Sequence, residues 1–326
     1  MTVTNGTNGT KVGKPFPPGV HVPSLTWFRD GADQEIDWDV QRKHLSFLIE
    51  SGLHGIVIAG TNGEAVTLSS SEKAQLVKTT RELAIELGRP DLAVILGCGG
   101  GSTQQVIAET KLAKESGADF ALVLVPSYFH FAMNEDAIIA FFEELASASP
   151  VPVLIYNFPG VSSGLDCNSE ILEKLGHHPN IVGVKLTCGG IAKVARVRSR
   201  FAPETFCALA GQSDWLLPAI SCGGTGTITG LANIYPKSCI ELYNLAISGS
   251  KEAEQAQIDL AAVEWGFAKG GINGTKWVVA QYLGYPESSC HTRRPYPRYS
   301  DAKKQAWIME TMRPLEAKEK SLKKRA

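Results

Sequence analysis

The sequence predicts an α/β fold, a closed (β/α)8 TIM barrel with additional C-terminal helices. Three observations predict it. Eight short runs rich in Val, Ile, Leu and Ala recur along the chain, segments with helical apolar spacing separate them, and no linker-like change of composition interrupts residues 20–248. Near-continuous apolar runs suit parallel strands covered on both faces. A repeated βα unit then builds one barrel rather than two unlike domains.

The runs lie at 20–26, 55–59, 92–96, 120–125, 153–156, 181–186, 205–209 and 226–229. Between them, Ser69 and Glu72 form a capping box ahead of Ala74, Leu76, Leu83 and Leu87, and Ser102 with Gln105 offers a second. Asn134 caps a stretch whose Ile138, Phe141, Phe142 and Leu145 share one helical face. Pro236 stands where a first-turn proline opens the helix of Ile240, Leu242 and Leu245. The predicted barrel occupies 19–248, preceded by a disordered leader over 1–18. A helical extension with a basic, frayed tail occupies 249–326, with helical patterns at 252–267, 273–283 and 301–312.

Composition narrows the function classes. The 326 residues carry 32 Lys+Arg against 33 Asp+Glu, so no strong field attracts nucleic acid or an anionic membrane. No apolar run approaches the roughly 20 residues needed to span a bilayer. The Asn/Gly/Thr-rich start lacks an apolar secretory core, so the sequons at Asn5, Asn8 and Asn273 carry little weight. The seven cysteines are dispersed without C-x-x-C spacing and read as reduced thiols of a cytoplasmic protein. The histidines lack metal-ligand spacing, so no metal is expected.

In such a barrel the active site lies at the C-terminal ends of the strands, which makes polar residues there informative. Lys185 is the first. With a period of two, Ile181, Gly183 and Lys185 face the barrel interior while Val182, Val184 and Leu186 face the helices. Burial favours the neutral form of an amine, and a neutral amine attacks carbonyls to form Schiff bases. The alternative is a strand-end lysine snorkelling to solvent. Tyr156 shares a face with Leu154 on the adjacent strand, as a proton shuttle or as a core tyrosine. In Gly60-Thr61-Asn62-Gly63-Glu64 the glycines permit a tight turn whose N–H groups hold a carboxylate, with donors from Thr61 and Asn62; an ordinary βα loop is the plainer reading. Tyr128 sits in an aromatic stretch after the fourth strand, where packing is the default.

Together these segments resemble the dihydrodipicolinate synthase and N-acetylneuraminate lyase superfamily of class I, pyruvate-dependent aldolases. Gly-Thr-Asn-Gly-Glu is similar to its carboxylate loop, Tyr156-Asn-Phe-Pro to its Tyr-Asn-x-Pro, and Gly183-Val-Lys185 to its Gly-x-Lys, over about residues 19–283. The resemblance implies that Lys185 forms the Schiff base with C2 of a 2-oxo acid and that no other cofactor is needed. It implies that Tyr156 shuttles the proton, and that Thr61 links it to a Tyr128 reaching in from a neighbouring subunit of a homo-tetramer or homo-dimer. Thr61, Asn62 and Gly63 would hold the pyruvyl carboxylate, with the Ile228 main-chain carbonyl facing the site.

The lysine-pathway members carry an arginine shortly after Tyr-Asn-x-Pro, and this chain has none there. Ser162, Ser163 and Asn157 offer hydroxyl and amide contacts suited to a hydroxylated substrate. The local sequence looks nearer to the 4-hydroxy-2-oxoglutarate aldolase and fungal L-threo-3-deoxy-hexulosonate aldolase branches. The expected activity is therefore a retro-aldol cleavage of a 3-deoxy-2-oxo sugar acid to pyruvate and an aldehyde. Cleavage of 4-hydroxy-2-oxoglutarate, a Schiff-base dehydratase, and a catalytically inactive binding barrel are the alternatives. Arg196 and Arg198 are the basic residues that would favour a dicarboxylate if they reached the pocket. The basic stretch 293–298 reads as a solvated or interface turn.

Overall fold

The computed structural model describes residues 14–323. Eight parallel strands close into a barrel in sequence order: β1 (Gly19–Pro23), β2 (Gly55–Ile58), β3 (Ala93–Cys98), β4 (Phe120–Leu124), β5 (Val153–Asn157), β6 (Ile181–Leu186), β7 (Cys207–Ala210) and β8 (Gly226–Ile228). Pairing of β8 with β1 completes the ring. Around it lie α1 (Trp38–Glu50), α2 (Ser70–Glu86), α3 (Thr103–Ser116), α4 (Glu135–Ala148), α5 (Ser169–Gly176), α6 (Ile191–Arg200), α7 (Leu216–Ser221) and α8 (Pro236–Ile247). The expected barrel is the observed one.

The predicted caps form at the starts of α2, α3 and α4. Ser69 and Glu72 close a reciprocal capping box on α2, and Ser102 and Asn134 accept the N–H groups of Gln105 and Ala137. Gln105 instead turns its side chain to the Gly101 N–H, so the second box is only half made. Ile56, Ile58, Val94 and Leu96 pack outward on the helices, while Val57, Ala93, Ile95, Leu154 and Tyr156 fill the barrel.

One strand departs from the expected alternation. Val182 lies in the interior cluster and Ile181 in the outer one, the reverse of the expectation. The β5–β6 register shifts between Val153 and Leu154, and such an irregularity flips the residues before it. Val184 and Leu186 nevertheless pack outward as expected.

The packed chain begins before β1. Residues 1–13 of the expected leader lie outside the described residues, but Phe16 is buried against Phe120, ring centroids 5.0 Å apart, and stops the bottom of the barrel. His21 beneath it bonds the Pro17 carbonyl, and burial pulls its imidazole down to about 3.

At the other end, α9 (Glu252–Leu283) joins the two expected helical patterns across a kink at Gly271, whose φ of 62° lies in the left-handed region. Then come α10 (Ala302–Met312), capped by Asp301, and α11 (Glu316–Ser321). The stretch expected to fray is docked as far as Leu322. The Glu319 carboxylate accepts the Lys237 and Ser238 N–H groups at the start of α8, and the Lys237 ammonium donates to the Leu322 carbonyl. Carboxylates are favoured there because the first N–H groups of a helix have no partner within it. Among the described residues no helix is long and apolar enough to cross a membrane, and all seven cysteines are free thiols.

At the top of β2 the chain bends at Ala59, whose φ is 53°. A Cβ on Gly97 of β3 would stand 2.0 Å from the Ala59 carbonyl oxygen, a backbone atom that cannot swing aside. Gly97→Ala is expected to destabilise the protein by about 2–3 kcal/mol, as overpacking against backbone does. The check is a lowered urea midpoint at unchanged slope.

Candidate active site

Lys185 and Tyr156 stand opposite each other on β6 and β5. The Lys185 ammonium lies 4.1 Å from the centre of the Tyr156 ring, so it faces a π surface rather than a carboxylate. Both side chains are buried. The Tyr156 hydroxyl lies 3.3 Å from Thr61 Oγ1, on the loop leaving β2. Three strands thus bring a lysine, a phenol and a hydroxyl to one place, as the sequence suggested.

The loop 60–64 is closed by hydrogen bonds from the N–H groups of Glu64 and Ala65 to the carbonyls of Thr61 and Gly60. Among the described residues the N–H groups of Thr61, Asn62 and Gly63 have no protein acceptor and stay available to an anion. The Gly63 carbonyl accepts a hydrogen bond from Thr26, and a Cβ on Gly63 would stand 2.9 Å from the Ser24 carbonyl oxygen. Asn62 reaches across to the end of β8, where a Cβ on Gly230 would lie 3.0 Å from its amide nitrogen. Ile228 is fully buried just before that turn.

Glu64, the last residue of the motif, is not aimed at a ligand. Its φ of 57° turns its side chain into the protein. One oxygen accepts from the Lys276 ammonium at 2.7 Å, and the other from the Arg293 N–H at 2.8 Å. Burial draws Lys276 down to about 8, with the Glu64 charge opposing. The Arg293 guanidinium stacks on Phe28 and holds Glu72 with two hydrogen bonds. Arg293 is therefore a clamp between the C-terminal segment and the loop leaving β2, so of the two readings of this basic turn, solvated or interface, the solvated one does not hold for Arg293.

After β5, Asn157 is occupied by Asp166 and the Cys167 N–H, which removes it from the substrate contacts expected of it. Ser162 is buried with its hydroxyl unpartnered, and Ser163 is exposed at φ 52°. Tyr128 is 83% exposed beside Phe129 and Phe131; within one chain it does not meet Thr61. Arg196 and Arg198 bond Ser169 and the Phe201 carbonyl on the outer helical layer.

Two residues escaped the sequence reading. Thr187 lies two positions beyond Lys185, so the period that placed the lysine also points at it. Its buried hydroxyl has no partner, and a Cβ on Gly211 would collide with it at 2.0 Å. Asp214, on the loop leaving β7, also has an unpartnered oxygen, and burial holds its carboxyl above the usual range. Unpartnered buried polar atoms call for an explanation, and those at a barrel mouth are candidates for ligand contact.

The sequence profile of the Dihydrodipicolinate synthetase family matches residues 18–312. The chain is 39% identical over 283 residues to the Emericella nidulans protein named "Probable 4-hydroxy-2-oxoglutarate aldolase, mitochondrial", covering 86% of this chain and 90% of that one. It is 37% identical to the L-threo-3-deoxy-hexylosonate aldolase of Hypocrea jecorina, covering 94% and 98%. A solved dihydrodipicolinate synthase family protein from Coccidioides immitis superposes with a TM-score of 0.86 at 33% identity, over 96% of this chain and all (100%) of that one.

Lys276→Met would leave the buried Glu64 carboxylate without its cation. A loss of about 3–5 kcal/mol is expected, with part of it recovered in the Glu64→Gln/Lys276→Met double variant. Denaturant unfolding of the three variants checks this.

Proposed function

The chain belongs to the dihydrodipicolinate synthetase family, and from that premise we propose that it cleaves a 3-deoxy-2-oxo sugar acid through a Schiff base on Lys185. The protein is an enzyme, an aldolase of the carbon–carbon lyase class. The observation that carries the proposal is the placement of the Lys185 ammonium against the Tyr156 ring, with the Tyr156 hydroxyl beside Thr61.

The carboxylate of the 2-oxo acid would rest on the N–H groups of Thr61, Asn62 and Gly63. The neutral Lys185 amine would add to C2 and expel water, leaving an iminium. The C3–C4 bond would then break, its electrons moving into the iminium to give an enamine. Tyr156 would take the C4 hydroxyl proton as the aldehyde forms, glyceraldehyde for a hexulosonate. Protonation of C3 and hydrolysis of the iminium would release pyruvate and restore the amine. Thr61 would relay protons between Tyr156 and a Tyr128 supplied by a second copy in a homo-dimer or homo-tetramer.

The choice of substrate rests on charge. The loops leaving β2 to β8 carry no Lys or Arg, whereas a second substrate carboxylate calls for a cation. Unpartnered hydroxyls of Ser162 and Thr187 suit a hydroxylated chain. Cleavage of 4-hydroxy-2-oxoglutarate is the second reading, favoured by the name of the Emericella nidulans relative. Comparing kcat/KM on L-threo-3-deoxy-hexulosonate and on 4-hydroxy-2-oxoglutarate separates them. The proposal places the enzyme in the cytoplasm; the Emericella nidulans and Coccidioides immitis relatives are named mitochondrial, so subcellular fractionation decides the compartment.

Borohydride reduction in the presence of pyruvate is expected to add a pyruvyl mass to the Lys185 peptide and to leave Lys185→Ala unlabelled. A label elsewhere, or none on folded protein, refutes the Schiff-base assignment. Tyr156→Phe is expected to lower kcat by roughly 10²- to 10⁴-fold while pyruvate trapping persists; an unchanged kcat moves the proton transfer to another group.

A further inference from the structure

A second polar cluster lies beside the mouth, outside the Lys185–Tyr156–Thr61 group. Glu264 projects from the first half of α9 and is buried, as are Ser213 on the loop leaving β7 and Thr229 on the loop leaving β8. Ser213 Oγ lies 2.5 Å from Glu264 Oε2, and Thr229 Oγ1 lies 3.0 Å from Glu264 Oε1. The two hydroxyl oxygens are themselves 3.0 Å apart.

Counting hydrogens distinguishes the possible states. Three oxygen–oxygen contacts at hydrogen-bond distance require three hydrogens, and two hydroxyls bring two. Were Glu264 ionised, both hydroxyls would turn to it, and the Ser213–Thr229 contact would set two oxygens together with no hydrogen between. Other donors approach from outside the triangle: the Leu231 N–H reaches Thr229 at 3.3 Å, and the Cys239 thiol reaches Ser213 at 3.9 Å. The titratable groups facing Glu264 are Asp214 from the β7 loop and Cys239 from α8, and neither brings a positive charge.

We propose that Glu264 is held as the neutral acid and closes a ring of three hydrogen bonds. The Glu264 O–H donates to Ser213, Ser213 donates to Thr229, and Thr229 donates to the other oxygen of the acid. Burial, with the like charge of Asp214, raises Glu264 from 4.5 to about 7, against the Ser213 and Thr229 hydroxyls and the Ser213 main chain, which favour the ionised form. The ring joins the β7 and β8 loops to α9, two turns beyond Gln257, which holds the Ser213 carbonyl and the Leu217 N–H. Through Thr229 and Gly230 it sets the wall against which Asn62 rests. Glu264 is thus a positioning residue for the carboxylate site, a role that rests on the function proposed above; its protonation does not.

Glu264→Gln keeps one donor and one acceptor and cannot ionise. Because the folded value lies above the unfolded one, the stabilisation from Glu264 is complete below about 4.5 and is lost as pH rises through about 7. The variant should therefore match the wild type in Tm near about pH 5 and exceed it increasingly up to about pH 8. A variant less stable by the same amount at every pH overturns the proposal, since an ionised acceptor would behave so. The wild type alone supplies a second measurement, a protonated-carboxyl C=O band in infrared difference spectra that vanishes above neutral pH and is missing from Glu264→Gln. Absence of the band from the wild type also overturns the proposal. For the positioning role, the concentration of pyruvate giving half-maximal borohydride trapping, compared at each pH so that the shared need for a neutral amine cancels, should rise in the wild type relative to the variant as pH increases; a constant ratio overturns that role. If no pyruvate is trapped at any pH while the stability and infrared results hold, the Schiff-base reading fails and the ring stands.

Discussion

The mouth of this barrel depends on an ion pair that never meets water. Glu64 and Lys276 lie 212 residues apart and are fully or nearly fully buried, so both charges must be met inside the protein. Lys276 and the Arg293 N–H between them engage both carboxylate oxygens. Breaking such a pair is far costlier than never having built it. Held in the left-handed region at φ 57°, Glu64 ends the loop 60–64 with its backbone turned so that the N–H groups of Thr61, Asn62 and Gly63 have no acceptor among the described residues. A non-glycine residue in that conformation persists only where its surroundings over-determine it. Lys276 and Arg293 supply that determination, and Thr61 lies within reach of Tyr156 as a result.

The interior cluster that carries Tyr156 also contains Phe120, Leu122 and Leu154 and ends on Phe16. Lys185 and Tyr156 therefore stand at the top of a filled column rather than on mobile loops, and their separation is set by strand register. Sites built on strands hold their geometry more tightly than sites on loops. The loops around that mouth carry the N–H groups after β2, the buried hydroxyl of Ser162 after β5, and the unpartnered oxygen of Asp214 after β7.

Much of this was legible because it is governed by local rules. Strands buried on both faces must be apolar throughout, so all eight announce themselves, and Ser69, Asn134 and Pro236 act within a few residues of where they stand. Lys185 was legible because a charge in an apolar run contrasts with its neighbours. The irregularity at the start of β6 was not, since Ile181 and Val182 are both apolar and exchange faces without changing the pattern. Long-range pairing hid the rest. Nothing near Glu64 names Lys276, nothing near Glu319 names the start of α8, and Asn157 looked available until Asp166 and Cys167 were folded back onto it.

The long helix α9 performs two duties on opposite sides of its kink. Gln257 and Glu264 grip the loops after β7 and β8, and beyond Gly271 Lys276 grips the loop after β2. Each residue added to or removed from an α-helix turns the remainder of that helix by about 100° and moves it about 1.5 Å. An insertion or deletion in either helical segment, between Glu264 and the kink at Gly271 or between the kink and Lys276, would swing one grip away while the other stayed in place. Length variation among descendants of this chain is therefore expected to spare that stretch and to accumulate in the turns joining the outer helices to the bottoms of the strands. The spacing between two side chains on a peripheral helix is in this way a molecular ruler across the mouth of the barrel.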